Sequence, residues 1–387
     1  MTLTPKERVL TAIHHEEPDR VPIVIGVSNA TGIKMKTYQA IKELVGIQAP
    51  NEYLYDWPEL GTAAIDEETM RLLRSDVRGL LDTEPEHIRL HNRNRPPHSA
   101  SIDSWGVGQI EIADGEWMPG IHPLKNARTI IEIENYPWPD LDDPTRVAHI
   151  HSKAKQLADE NQYSIMGIPW LLFPFERAIS MQGMDSFLLN MAMEPDFAKT
   201  LLAKITECCK RMMGKFLEEA GGFLDMIKIG DDLGTQESLL ISPKMYREML
   251  KPFHADLINF IKQRTAAKVF FHTDGDVYDL IEDLIEIGVD ILNPIQTSAG
   301  RMSDLKQLKA QFGGRIVFCG AIDTHTVLPH GSPVDVQKEV RRVIRDLGPG
   351  GGFMVSSVHT IMNDVPAENV LAMVDAVEKF GRYPLDR

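Results

Sequence analysis

The stretch KVFFHTDGDVYDLIEDLIEIGVDILN, residues 268–293, decides the fold. Lys268 to His272 (KVFFH) is a short apolar run of the kind a buried strand needs. Val277, Leu280, Ile281, Leu284 and Ile285 then recur at helical spacing, Gly288 supplies a left-handed stop, and Val289 to Asn293 (VDILN) returns to strand. The unit repeats downstream. Ser303 caps a helix bearing Leu305, Leu308 and Phe312, Gly313 ends it, and Arg315 to Cys319 (RIVFC) is the next strand. Ser332 and Pro333 open a helix with Val336, Val340, Val343, Ile344 and Leu347, after which Gly348 to Gly352 turns the chain into Phe353 to Ser357. Asp364 and Pro366 start the last helix, through Val370, Met373, Val374, Val377 and Phe380.

Successive strand–helix units require parallel strands joined by right-handed crossovers. Upstream, four more strands are expected at Val21 to Gly26, near Val77 to Leu81, at Tyr163 to Ile168 and at Leu224 to Gly230. Eight strands fit an α/β fold of the closed (β/α)8 TIM barrel type. The open doubly wound sheet is disfavoured because no Gly-x-Gly-x-x-Gly follows any strand, and the Gly348 to Gly352 cluster precedes one. A long helix beginning near Pro195 presents Phe197, Leu201, Leu202, Ile205, Met212, Met213, Phe216 and Leu217 on one face, and it is expected to cover the barrel. Residues 1–387 are expected to form one domain. Asp82 to Asp143, with poor periodicity and Trp105, Trp117 and Trp138, is the exception: an insertion in the N-terminal half that shapes the pocket mouth.

Composition narrows the function classes. A chain of 387 residues with a formal charge of −15 lacks the basic excess that nucleic acid or an anionic membrane demands. It contains no apolar run long enough for a transmembrane helix, and the charged first twenty residues do not resemble a secretory leader, so a cytoplasmic location is expected. Cys208, Cys209 and Cys319 are too few for a disulfide framework. A thiol with a role here binds metal or does chemistry.

In such a barrel the active site lies where strands end and helices begin. The polar residues at those positions are Asp231, Asp232 and Glu237 after the fourth strand, His272 and Asp274 after the fifth, and Asn293 and Gln296 after the sixth; the seventh ends in Cys319 and Asp323, and the eighth in Ser356, Ser357 and His359. Carboxylate, imidazole and thiolate converging from separate strands suit a zinc ion, which takes oxygen, nitrogen and sulfur ligands. Asp231 and Asp232 are candidates for acid–base work and fit first-turn helix charges equally well. Trp170, Phe173 and Phe175 could line a flat organic substrate or simply pack the core.

At these residues the chain resembles the uroporphyrinogen decarboxylase superfamily. The resemblance runs through RVLTAIHHEEPDRVPI at Arg8 to Ile23, ISPKMYREMLKPF at Ile241 to Phe253, CGAIDTHTVLPHGSP at Cys319 to Pro333 and VPAENVLAMVDAV at Val365 to Val377. The decarboxylases carry Arg-Gln-Ala-Gly-Arg after the first strand; here Gly26-Val27-Ser28-Asn29-Ala30 stands instead, which leaves Asn29 to meet substrate. The cobamide-dependent methyltransferases of the superfamily hold zinc with His-x-Cys and a later Cys; here His272-Thr273-Asp274 and His359 occupy those places. This branch implies an O-demethylase methyltransferase, passing a methyl group from a methoxylated, aromatic compound to a corrinoid protein. Glu237, His272 and Cys319 are then the first ligand set, with Asp274 and His359 as alternates or orienting groups, and Asn293, Gln296, Trp170 and Phe173 face substrate. The cobamide must come on a partner, because no Asp-x-His-x-x-Gly is present. A methylcobamide, thiol or methylamine methyltransferase, a tetrapyrrole decarboxylase and a non-catalytic docking scaffold are the alternatives, and the oligomeric state, homo-oligomer included, stays open.

Overall fold

The computed structural model describes residues 2–55, 58–96, 98–113, 116–170 and 173–385. Seven parallel strands form one curled sheet: β1 (Val77–Leu81), β2 (Ser164–Ile168), β3 (Met226–Gly230), β4 (Lys268–His272), β5 (Ile291–Asn293), β6 (Val317–Ile322) and β7 (Phe353–Ser357). Each pairs with its neighbour in chain order, as right-handed crossovers dictate. The eighth expected strand, Val21 to Gly26, is present as a segment that closes the circle by mixed means. On one side Val24 donates to the Val355 carbonyl at 2.9 Å and Val355 to that of Pro22 at 2.8 Å. On the other, Asp76 donates to the Ile23 carbonyl at 2.9 Å, while the Asp76 carboxylate and the Ser75 hydroxyl accept from Ile23 and Ile25. On this side the Ile23 and Ile25 amides thus find side-chain acceptors where a regular ladder would offer backbone carbonyls.

The barrel is filled, not hollow. Val24, Val77, Met166, Ile168, Met226, Phe270, Ile291, Val317, Cys319 and Met354 pack its interior, and Val9 and Ile13 of the helix Pro5–Ile13 plug the end where strands begin. Alternate strand residues such as Ile227, Ile229, Phe271, Phe318 and Val355 face outward into the layer of helices. The helix Pro195–Ala220 runs as the periodicity predicts, with its apolar stripe buried.

Two boundaries differ from expectation. The helix Leu305–Phe312 is capped by Asp304, which accepts from Gln307 N at 3.0 Å, because Gly300–Ser303 forms a separate 3-10 turn. Strand β6 begins at Val317 and continues to Ile322, three residues beyond the expected end, which places Cys319 inside the barrel. Between β1 and β2, the expected insertion, apart from residues 97, 114 and 115, which lie outside those described, includes the helix Glu86–Arg93 and an antiparallel ribbon of Ser101–Ile102, Gly108–Ala113 and Glu116–Ile121. Trp105 is buried there, edge-on to Trp138. No helix among the described residues is long and apolar enough to cross a membrane.

Candidate metal centre

The strand ends bring His272, Asp274 and His359 together. His272 is the last residue of β4, Asp274 follows two residues on, and His359 follows β7. The Nε2 atoms of both histidines lie 3.7 Å from Asp274 Oδ2, and one ligand atom from each of the three residues falls within 4.8 Å of the others. Gly275 makes the turn possible: its φ is +90°, and a Cβ there would meet Gly234 C at 2.3 Å, so only glycine fits.

The surrounding groups hold this cluster in a ligand-ready state. Asn293 Oδ1 accepts from His272 Nδ1 at 2.8 Å, which leaves the Nε2 lone pair directed at Asp274. Asp232 Oδ1 accepts from Asp274 N at 2.9 Å and Gln296 Oε1 from Gly275 N at 2.7 Å, fixing the turn. Burial, with the Asp232 charge adding to it, pushes the Asp274 carboxyl up to about 6, while burial pulls His359 down to about 4 and lowers His272 as well. At neutral pH the cluster therefore offers two neutral imidazoles and one carboxylate. Asp274 Oδ1 is buried and has no hydrogen-bond partner. An orphaned carboxylate oxygen costs free energy unless a cation or proton meets it. Two nitrogens and a carboxylate whose second oxygen is unpartnered fit a catalytic zinc site, which uses three protein ligands and leaves a position open.

Two predictions arise here. Asn293→Ala should weaken zinc binding about 10–100-fold, measured by competition with a chelator, while the fold persists. The second concerns the metal-free protein. The folded Asp274 pKa of about 6 lies above the ordinary 3.8, so this carboxyl contributes stability below pH about 4 that is lost as pH rises through 6. Asp274→Asn should then raise the melting temperature of metal-free protein at pH 8, by the equivalent of about 3 kcal/mol, and leave it nearly unchanged at pH 4. The same variant should bind zinc poorly.

The remaining expected residues lie elsewhere. Cys319 is fully buried at mid-strand, its thiol raised by burial and set beside Asn293; it does not join the cluster. Glu237 is exposed in a turn pinned by Thr235 and is also apart from it. Asp231, expected as an acid or base, is fully buried. It accepts from Phe175 N at 3.0 Å, Glu176 N at 2.8 Å and His254 Nε2 at 2.7 Å, so it anchors the start of the helix Pro174–Gln182. Asn293, expected at the substrate, is wholly enclosed and orients His272 instead. Phe173 is core. Asn29 pairs with Tyr55, and the Trp170 ring lies tilted against Tyr55 with centroids 4.4 Å apart, while the Trp170 backbone N–H donates to Asp82. Tyr53, Tyr55, Asp82, His149 and Trp170 line a hollow of about 200 Å³. A larger cleft of about 610 Å³ opens over Asp274 and His359, with Gln236, Gln296, His325 and Thr360 on its walls. Two residues were missed in the sequence: Lys228 on β3, and Glu176, whose carboxyl burial pushes well above the usual range. The signal for the first was a lysine inside the apolar run MIKIG.

With this geometry in hand, the family profile described as Uroporphyrinogen decarboxylase (URO-D) matches residues 106–380. The chain belongs to that family. A methylcobamide:CoM methyltransferase, MtbA, of Methanosarcina mazei is 24% identical over 382 residues, covering 98% of this chain and 99% of the relative. A uroporphyrinogen decarboxylase of Actinobacillus succinogenes is 23% identical over 286 residues, covering 72% and 76%. A solved methyltransferase from Methanosarcina mazei superposes with a TM-score of 0.68 at 19% identity, over 98% of this chain and 99% of that one. The chain is thus an enzyme-family barrel related to the cobamide methyltransferase branch.

Proposed function

We propose that this protein cleaves a methyl ether, of a methoxylated aromatic compound, and hands the methyl group to the reduced cobamide of a separate corrinoid protein. The observation that carries this reading is the cluster of His272, Asp274 and His359 beneath an open cleft. The end-to-end kinship with a cobamide methyltransferase supports it. So does the Gly26 to Ala30 stretch, which lacks the arginines that the decarboxylases carry there.

A methyl ether is inert because alkoxide or phenoxide leaves poorly. His272, Asp274 and His359 would hold a zinc ion, and zinc supplies a Lewis acid for oxygen, of a strength that lowers the pKa of bound water from about 15.7 to about 7. A donor set of nitrogen and oxygen without thiolate favours oxygen over sulfur as the fourth partner. Asn293 holds the His272 ring, Asp232 and Gln296 hold the Asp274 turn, and Asp231 fixes the helix that carries Glu176 against the barrel mouth. Each acts by fixing geometry before the reaction begins.

The test is methyl transfer to cobalamin reduced to cobalt(I), with methoxybenzenes as donors and zinc-loaded protein. Methylcobalamin should form together with one phenol per methyl group. Release of carbon dioxide from a tetrapyrrole carboxylate, with no transfer from any ether, would point to the decarboxylase side of the family.

A further inference from the structure

The hollow of about 200 Å³ past the end of β1 takes no part in the metal centre. Tyr53, Tyr55 and Trp170 contribute rings to its wall, and Asp82 and Glu84 contribute carboxyl groups. It adjoins the metal cleft through one residue: Asn29 holds the Tyr55 hydroxyl, and the Asn29 carbonyl accepts from Thr360 on the cleft wall.

The buried charges beside this hollow do not balance. Glu84 pairs with Arg146 at 3.1 Å, and Arg146 also reaches Ser104, the neighbour of Asp103, which pairs with Arg177. Asp82, Glu84 and Asp103 thus face two guanidiniums, and all five groups are more than nine-tenths buried. Asp82 is the carboxylate left over. Among the described residues it forms no ion pair, and the one other residue that donates to it is Trp170, through its backbone N–H. Glu84 is 3% exposed and keeps Oε1 enclosed without a hydrogen-bond partner. Burial pushes the Asp82 carboxyl up to about 7, so above that pH the excess charge is a cost to the fold that a cation would offset.

The walls decide which cation fits. Two carboxylates are too few for the six or more oxygens that a hard metal ion such as calcium collects. Aromatic faces beside carboxylates suit an organic ammonium, which the ring quadrupoles attract. At about 30 Å³ per water-sized group, the hollow has room for about six or seven non-hydrogen atoms, the size of a small methylated ammonium.

We propose that this hollow binds a small organic ammonium, with Asp82 and Glu84 meeting its charge and Tyr53, Tyr55 and Trp170 its methyl groups. The site stands apart from the methyl-ether reading and does not depend on it.

The experiment is isothermal titration of the purified full chain at pH 8 with choline, with tetramethylammonium, and with the uncharged isostere of choline in which carbon replaces nitrogen. Both ammonium ions should bind, and choline should bind at least about tenfold more tightly than the uncharged alcohol. Asp82→Asn keeps an acceptor for the Trp170 N–H and removes the charge, so it should lose about tenfold or more in choline affinity. It should also melt no lower than wild type, since the excess charge is gone. Trp170→Leu should weaken choline binding about threefold or more, as for a desolvated cation–π contact. If that variant does not fold, Tyr53→Leu, at a ring 45% exposed, takes its place. Equal binding of the uncharged alcohol, or choline affinity unchanged in Asp82→Asn, would overturn the assignment. So would the absence of heat at millimolar choline, or displacement of choline by an equal concentration of potassium.

Discussion

His272→Ala is expected to abolish zinc retention and lower methyl transfer by about 10³-fold or more. The magnitude follows from losing a Lewis acid worth several kcal/mol of charge stabilisation, at 1.36 kcal/mol per tenfold. The effect is large because His272 is the ligand with the most support: Asn293 fixes its ring at 2.8 Å and β4 fixes its backbone. Its removal leaves Asp274 and His359, which cannot complete a three-ligand site alone. Elemental analysis after dialysis and the methylcobalamin assay measure the two losses. Melting near the wild-type temperature would assign both to the site, since His272 sits at a strand end above the packed interior. Full zinc content in His272→Ala would remove this residue from the ligand set.

Asp231→Ala is expected to act on the fold. Two backbone N–H groups and the buried His254 ring converge on this carboxylate. Alanine would leave all three unsatisfied in the interior, and breaking a buried pair of this kind costs about 3–5 kcal/mol. Denaturant unfolding would measure it. The neighbouring Asp232→Ala should cost far less stability, because Asp232 accepts one hydrogen bond, from Asp274 N, and is only partly buried. A small stability loss in Asp231→Ala with a full loss of activity would instead restore the acid–base role suggested by its position.

Much of this was legible in the sequence because the later strand–helix units obey two clean periodicities. The interior runs of β4 to β7 are apolar and short, and the helices between them carry period-3.6 stripes. His272, Asp274 and His359 could be picked out because each follows an apolar run. Cys319 was misplaced for a local reason: β6 continues to Ile322 through Gly320 and Ala321, residues too small to register as strand, whose φ angles of +113° and +81° break the regular pattern. Asp231 and Asp232 are adjacent, and composition cannot tell which of two carboxylates faces a helix end and which faces the site. The strand at Val21 to Gly26 was legible as apolar, but not its irregular pairing through Asp76 and Ser75, which depends on residues some fifty positions away. Lys228 escaped notice because a charged residue in a strand is ordinarily placed on its solvent side.

The most direct test of the central claim is X-ray absorption at the metal edge of the purified protein, with elemental analysis identifying the ion. The account predicts about one zinc per chain in a shell of nitrogen and oxygen alone, at about 2.0–2.2 Å, with histidine scattering that is lost in His272→Ala. A sulfur neighbour at about 2.3 Å would contradict it, because that distance would place Cys319 on the metal in place of the cluster formed by His272, Asp274 and His359.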